Sequence, residues 1–188
     1  AKHAARYNTI LRTYFPKVTA FERKIAEPVT TVTRARKHIA PRTLFPNIDD
    51  IWYPPKKYAL INRANDYGEP IFYCATDPGT TIFEVKPSKV GEWITTIDVN
   101  LPMKVVNLLV IGEELTDNHL SSLDEVGKGV HMFLRDKFTQ KVPPDESHLY
   151  HLTIAFIELF IGNKHGVIYP SVASNLKGRN IALKTDFI

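Results

Sequence analysis

One cysteine, Cys74, occurs in the 188 residues, which excludes an intrachain disulfide and a zinc site built on several thiolates. It stands in the apolar run Ile71-Phe72-Tyr73-Cys74 and reads as core, and the compartment as a reducing one. The nine glycines never fall into the G-x-G-x-x-G or G-x-x-x-x-G-K-[ST] spacing, so neither a dinucleotide fingerprint nor a P-loop is present. Long apolar runs are missing too. The stretch from Leu152 to Ile161 is broken by Glu158 and is half of the ~20 residues that a bilayer requires. No apolar stretch follows the first basic residues as a secretory signal would need. The chain opens at Ala1 rather than methionine, which implies a trimmed start, and a cytoplasmic location is the expectation. His148 and His151 stand three apart, a metal-ligand spacing, but no third ligand is suggested nearby and no metal is expected. The net charge of +4 is spread along the chain rather than clustered, so neither nucleic acid nor a membrane is expected as a partner.

What is present is ordinary for one globular domain: 44% hydrophobic and 23% charged residues. Tyr7, Ile10, Leu11, Tyr14 and Phe15 recur at helical spacing, so residues 1–28 read as a helical lead-in, closed by Pro28, to a domain over 29–188. Residues 29–36 alternate as a strand, and 37–58 read as a long loop holding four prolines. Strands are expected at 93–99 and 103–110, with at best a short helix over 111–122. A helix is expected from about 122 to 138, a buried one over 146–161, and short strands at 167–169 and 181–183. Strands in front, helices in the middle and a return to strands give an α+β class.

The chain is organised around residues 60–84, LINRANDYGEPIFYCATDPGTTIFE. Asn65-Asp66-Tyr67-Gly68 is turn chemistry. Residues 71–74 read as a buried strand. Thr76-Asp77-Pro78 is a helix entry, with Pro at the first turn and a capping side chain before it. Glu84 then falls about two turns into that helix among apolar neighbours, either as a solvated flank residue or as a buried reagent.

The intervals from Arg63 to Tyr73 and from Tyr73 to Glu84, within Arg-x-Asn-x-x-Gly-x-Pro and the strand and helix that follow, resemble the signature of the RES domain family. Thr33-Arg34-Ala35-Arg36 is similar to that family's opening Tyr-Arg-x-Arg, and Trp52-Tyr53-Pro54-Pro55 to the Pro-Pro segment of one subgroup. Gly166-Val167-Ile168-Tyr169-Pro170-Ser171 is similar to its Gly-Ile-Ile-Tyr-Pro-Ser block, followed by the turn at Gly178-Arg179-Asn180. The match runs over about residues 29–185. Thr33, Tyr67 and His165 depart from the pattern, where an aromatic, a Pro and an Asp are expected.

The resemblance implies a mixed fold similar to the ADP-ribosyltransferases and a toxin that destroys NAD by phosphorolysis or hydrolysis. NAD is then a substrate, with inorganic phosphate as a co-substrate in the first case, and no cofactor is expected. A helix-turn-helix antitoxin is the implied partner, and a homodimer stays open. Glu84 is the implied carboxylate facing the cationic ribose, with Arg34 and Ser171 completing the catalytic set. Arg63, Tyr73 and Asn180 are the implied ligand-binding residues, the arginines because a guanidinium binds phosphate oxygens bidentately. Tyr73 offers a ring and a hydroxyl, and Ser171 a hydroxyl for phosphate or nucleophile; Asn180 reads equally as a turn residue. Two other readings stay open: transfer of ADP-ribose to a protein acceptor, and a non-catalytic nucleotide-binding module regulated by a partner.

Overall fold

The computed structural model of the chain describes residues 29–39, 45, 47–86, 89–102 and 107–188. The helical lead-in expected over 1–28 lies outside them. The described chain forms β1 (Thr31–Ile39), β2 (Ile71–Ala75), α1 (Pro78–Val85), β3 (Glu92–Asn100), β4 (Leu108–Val110), α2 (Asp117–Ser122), α3 (Glu125–Thr139), α4 (Tyr150–Phe160), β5 (Gly166–Pro170) and β6 (Arg179–Lys184). The strands make one mixed sheet in the order β3-β1-β2-β6-β5-β4, antiparallel throughout except for the β4–β5 pair. The α+β class therefore holds.

Strand alternation divides the core between the two faces of this sheet. Val167, Tyr169 and Ala182 face α3 and α4, where they join Val130, Leu134, Phe138, Ile154 and Phe156. Their alternates Phe72, Cys74, Ile168, Ile181 and Leu183 fill the opposite face beneath Trp52 and Tyr53. Because β2, β5 and β6 are covered on both sides, they read in sequence as continuous apolar runs rather than as alternating ones.

The helices start where side chains satisfy orphan N–H groups. Asp77 caps α1 by accepting from the Thr80 N–H at 2.8 Å, with Pro78 in the first turn. Asp124 caps α3 by accepting from the Gly127 N–H at 2.7 Å. The helix expected over 146–161 begins later. Pro144–Leu149 is a 3-10 turn, Glu146 departs from helical angles, and the α-helix proper opens at Tyr150. Three residues then fail to put His148 and His151 on one helical face, since they belong to different elements. Among the described residues no group of three or more His, Cys, Asp and Glu side chains gathers for a metal. β1 runs to residue 39, into the expected loop, because its whole length pairs with β3. No described helix is long and apolar enough to cross a membrane.

Burial works against the charged form of Asp77, but the hydrogen bonds from the Thr80 N–H and hydroxyl outweigh it and hold the carboxyl below its ordinary value. A depressed folded value means that the cap is fully stabilising above the unfolded carboxylate value, about 3.9, and fades as pH falls through the folded one. Asp77→Ala should therefore cost about 1 kcal/mol at neutral pH. Melting curves of the two proteins should converge in acid; a pH-independent gap would contradict the cap.

Candidate active site

A cleft of about 390 Å³ opens between α1, the helix-facing side of the sheet and the loop over residues 59–69. That volume lies in the range of small-molecule sites. Arg34, Arg63, Tyr73, Glu84 and Asn180 all line it, from four strands and loops and one helix. Ser171 is fully buried directly behind, within hydrogen-bond reach of Glu84. Positions separated by more than half of the chain thus meet because β6 pairs with both β2 and β5. Ala75 and Tyr169 flank Asn180 across the ladder.

Glu84 comes off the last turn of α1, with Thr81 and Val85 beside it on the cleft wall. Its Oε1 accepts from the Ser171 hydroxyl at 2.6 Å and from the Asn180 side-chain amide at 2.6 Å. Glu84 is exposed rather than buried, but it is not a free surface side chain. It is anchored at one oxygen at the mouth of a cavity.

The two arginines are engaged differently from a free anion clamp. Arg34 donates Nε to the Ile51 carbonyl at 2.5 Å, Nη2 to the Trp52 carbonyl at 3.0 Å, and Nη1 to the Tyr73 carbonyl. Its guanidinium also lies over the Phe72 ring, 5.1 Å from the centroid. Burial lowers its pKa to about 10, which leaves it a cation at neutral pH. Arg63 is buried and donates Nη1 to the Lys137 carbonyl and Nη2 to the Gln140 carbonyl, both at 2.9 Å. The Tyr150 ring lies 5.3 Å and the Tyr169 ring 6.0 Å from its guanidinium carbon. Each arginine therefore fastens a loop to the sheet or to a helix end while presenting an edge to the cleft.

Tyr73 is similarly committed at its polar end. Its hydroxyl donates to Asn65 Oδ1 at 2.7 Å and accepts from the Ala64 N–H at 3.1 Å. Burial, with Tyr169 adding to it, pushes the phenol well above its ordinary value and keeps it neutral. What it offers the cleft is its ring. Asn65 reads in sequence as a turn residue and as the Asn of the Arg-x-Asn-x-x-Gly-x-Pro motif, with no role assigned to it. It is buried, and its amide donates to the Leu60 and Asp66 carbonyls, so it shapes the whole 60–66 loop.

Tyr150 and Tyr169 join Tyr73 in the cleft lining, Tyr169 beside Asn180 in the ladder. Tyr169 stands in the quoted Gly-Val-Ile-Tyr-Pro-Ser block, so a signal existed; Tyr150, at the start of α4, had none. Burial pushes the Tyr169 phenol up as well. The site thus combines one anchored carboxylate, two partly engaged cations and three tyrosine rings. It suits a flat aromatic ligand that carries a positive centre.

The model of the RES domain matches residues 32–187, most of the chain. Among solved structures, the M. tuberculosis MbcT-MbcA toxin-antitoxin complex is similar over 100% of this chain and 86% of that one. Its 11% identity and TM-score of 0.41 are too slight to add to the family match. No curated protein matches.

Proposed function

The chain belongs to the RES domain family, and from that premise we propose that it cleaves the nicotinamide–ribose bond of NAD and depletes the dinucleotide. The observation that carries the reading is Glu84: a carboxylate pinned by one oxygen at the mouth of a cleft that three tyrosine side chains also line. Breaking that C–N bond leaves a cationic, oxocarbenium-like ribose while nicotinamide departs as a neutral base. The leaving group needs no proton, so the second carboxylic acid of ordinary glycosidases is dispensable. One negative charge fixed beside the developing cation supplies the main stabilisation. In hydrolysis a water oxygen bonds to the ribose carbon and a proton is released. In phosphorolysis an oxygen of inorganic phosphate takes its place.

The remaining N–H groups of Arg34 and Arg63 suit the dinucleotide's phosphates, and the rings of Tyr73, Tyr150 and Tyr169 its aromatic bases. A fold akin to the ADP-ribosyltransferases, a cytoplasmic location and a helix-turn-helix antitoxin that covers the cleft belong to the same reading.

Purified protein incubated with NAD, with and without inorganic phosphate, tests it. Chromatography should find free nicotinamide together with ADP-ribose, or with its phosphorylated form when phosphate is the acceptor. ADP-ribose attached to protein would redirect the reading to transfer. Intact NAD after long incubation would overturn it in favour of a binding module.

A further inference from the structure

We infer that Ser171 and Asn180 are positioning residues that act on the reaction only through Glu84, by holding one carboxylate oxygen so that the other is the oxygen offered to the substrate. The inference rests on the NAD-cleaving reading.

Both donors fall on the same atom. The Ser171 hydroxyl and the Asn180 amide each lie 2.6 Å from Glu84 Oε1, while no hydrogen bond from the described residues reaches Oε2. A glutamate near a helix end is otherwise free to scan several rotamers, a freedom that two short charge-assisted bonds remove. The Ser171 oxygen also accepts from the Ser174 N–H at 3.2 Å, so its one hydroxyl hydrogen goes to Glu84. The side chain is fully buried and does not line the cleft, which leaves it no route to a ligand.

The clamp is set by backbone rather than by side-chain chance. Ser171 follows β5, and Asn180 pairs with Tyr169 within the β5–β6 ladder, so the sheet carries both donors. The turn between them is cross-linked. Ser171 N–H donates to the Gly178 carbonyl, Leu176 N–H to the Ser171 carbonyl, and Gly178 N–H to the Ser174 hydroxyl. This turn lies directly on α1. A Cβ at Gly178 would meet Thr80 Oγ1 at 1.7 Å and Thr80 Cβ at 2.9 Å. Thr80 cannot yield easily, being buried with its hydroxyl tied to Asp77, one turn before Glu84. Only glycine permits that approach, and the approach brings Glu84 into reach of both donors.

The test measures turnover and NAD affinity for Ser171→Ala, Asn180→Ala, Glu84→Gln and the two double variants, with melting temperatures alongside. Each single alanine variant should lower kcat roughly tenfold or more while the dissociation constant for NAD stays within about threefold. In the Glu84→Gln background the same substitutions should cost nothing further in residual turnover, the non-additivity expected of groups that work through one atom. Should Ser171→Ala lose its fold, Asn180→Ala at the cleft wall gives the same reading. Wild-type kcat in the alanine variants would overturn the inference, as would an undiminished loss in the Glu84→Gln background. So would a dissociation constant that rises in step with the fall in kcat, which marks direct ligand contact. An inactive wild-type protein would sink the NAD-cleaving reading itself and this inference with it. An active wild type with unaffected variants sinks the inference alone.

Discussion

Glu84→Gln is expected to cut NAD consumption to a small residue while leaving NAD binding nearly unchanged. Ser171 and Asn180 both donate to Glu84 Oε1. In the glutamine variant they select the carbonyl oxygen for that place. The amide NH₂ must then turn into the cleft and present a donor where the parent presents negative charge. Shape and anchoring survive; the charge opposing the ribose cation does not. Preorganised charge aimed at a developing cation is commonly worth on the order of 3 kcal/mol, so turnover should fall ~100-fold or further. Chromatography of the products gives the rate and calorimetry the affinity. In cells lacking a partner, the wild-type chain should arrest growth and drain NAD, and the variant should be tolerated. Parental NAD consumption by Glu84→Gln would mean that the carboxylate is not the reagent.

The largest effect on stability is expected from Arg63→Ala. The guanidinium satisfies the Lys137 and Gln140 carbonyls, at the C-terminal end of α3 where backbone acceptors have no intrahelical partner. The Arg63 carbonyl in turn accepts from the Thr153 hydroxyl of α4 at 2.8 Å. One residue thus ties the cleft loop to α3 and α4. Hydrogen bonds to a charged group are each worth about 1.5–3 kcal/mol, and truncation strands two acceptors beside a buried cavity. A loss on the order of 3 kcal/mol should lower the melting temperature by roughly 6–12 °C in a domain of this size. Arg63→Lys should recover only part of it, because a point ammonium does not reproduce a two-pronged fork. Were Arg63 chiefly a ligand contact, the melt would barely move and NAD affinity would collapse instead.

Much of the site was readable along the chain because its parts are local. Asp77-Pro78 announces a helix start, and the helix places Glu84 where the spacing puts it. The apolar runs at 71–74, 167–169 and 181–183 announce strands that need no tertiary information to be recognised. Boundaries suffered where neighbours compete with local preference. β1 extends to residue 39 because β3 pairs along it, and α4 starts late because a 3-10 turn broken by non-helical angles at Glu146 occupies 144–149.

The sequence by itself determined which chemical groups are available: one cysteine without a mate, an acid after a capped turn, arginines and tyrosines at fixed intervals from it. Those are properties of residue type and short-range geometry. Tertiary structure alone decided what each group does with its donors. Arg34 and Arg63 are ordinary anion binders on paper, yet they donate to the carbonyls of residues 51, 52, 73, 137 and 140. A hydrogen bond across dozens of residues leaves no periodicity to read. Likewise, nothing in Gly178 names Thr80 as its neighbour, though their close approach is what seats α1 against the 171–180 turn. Pairing of β6 with both β2 and β5 then carries Ser171 and Asn180 to the same carboxylate oxygen. That convergence is a property of the sheet order, which no single stretch of the chain contains.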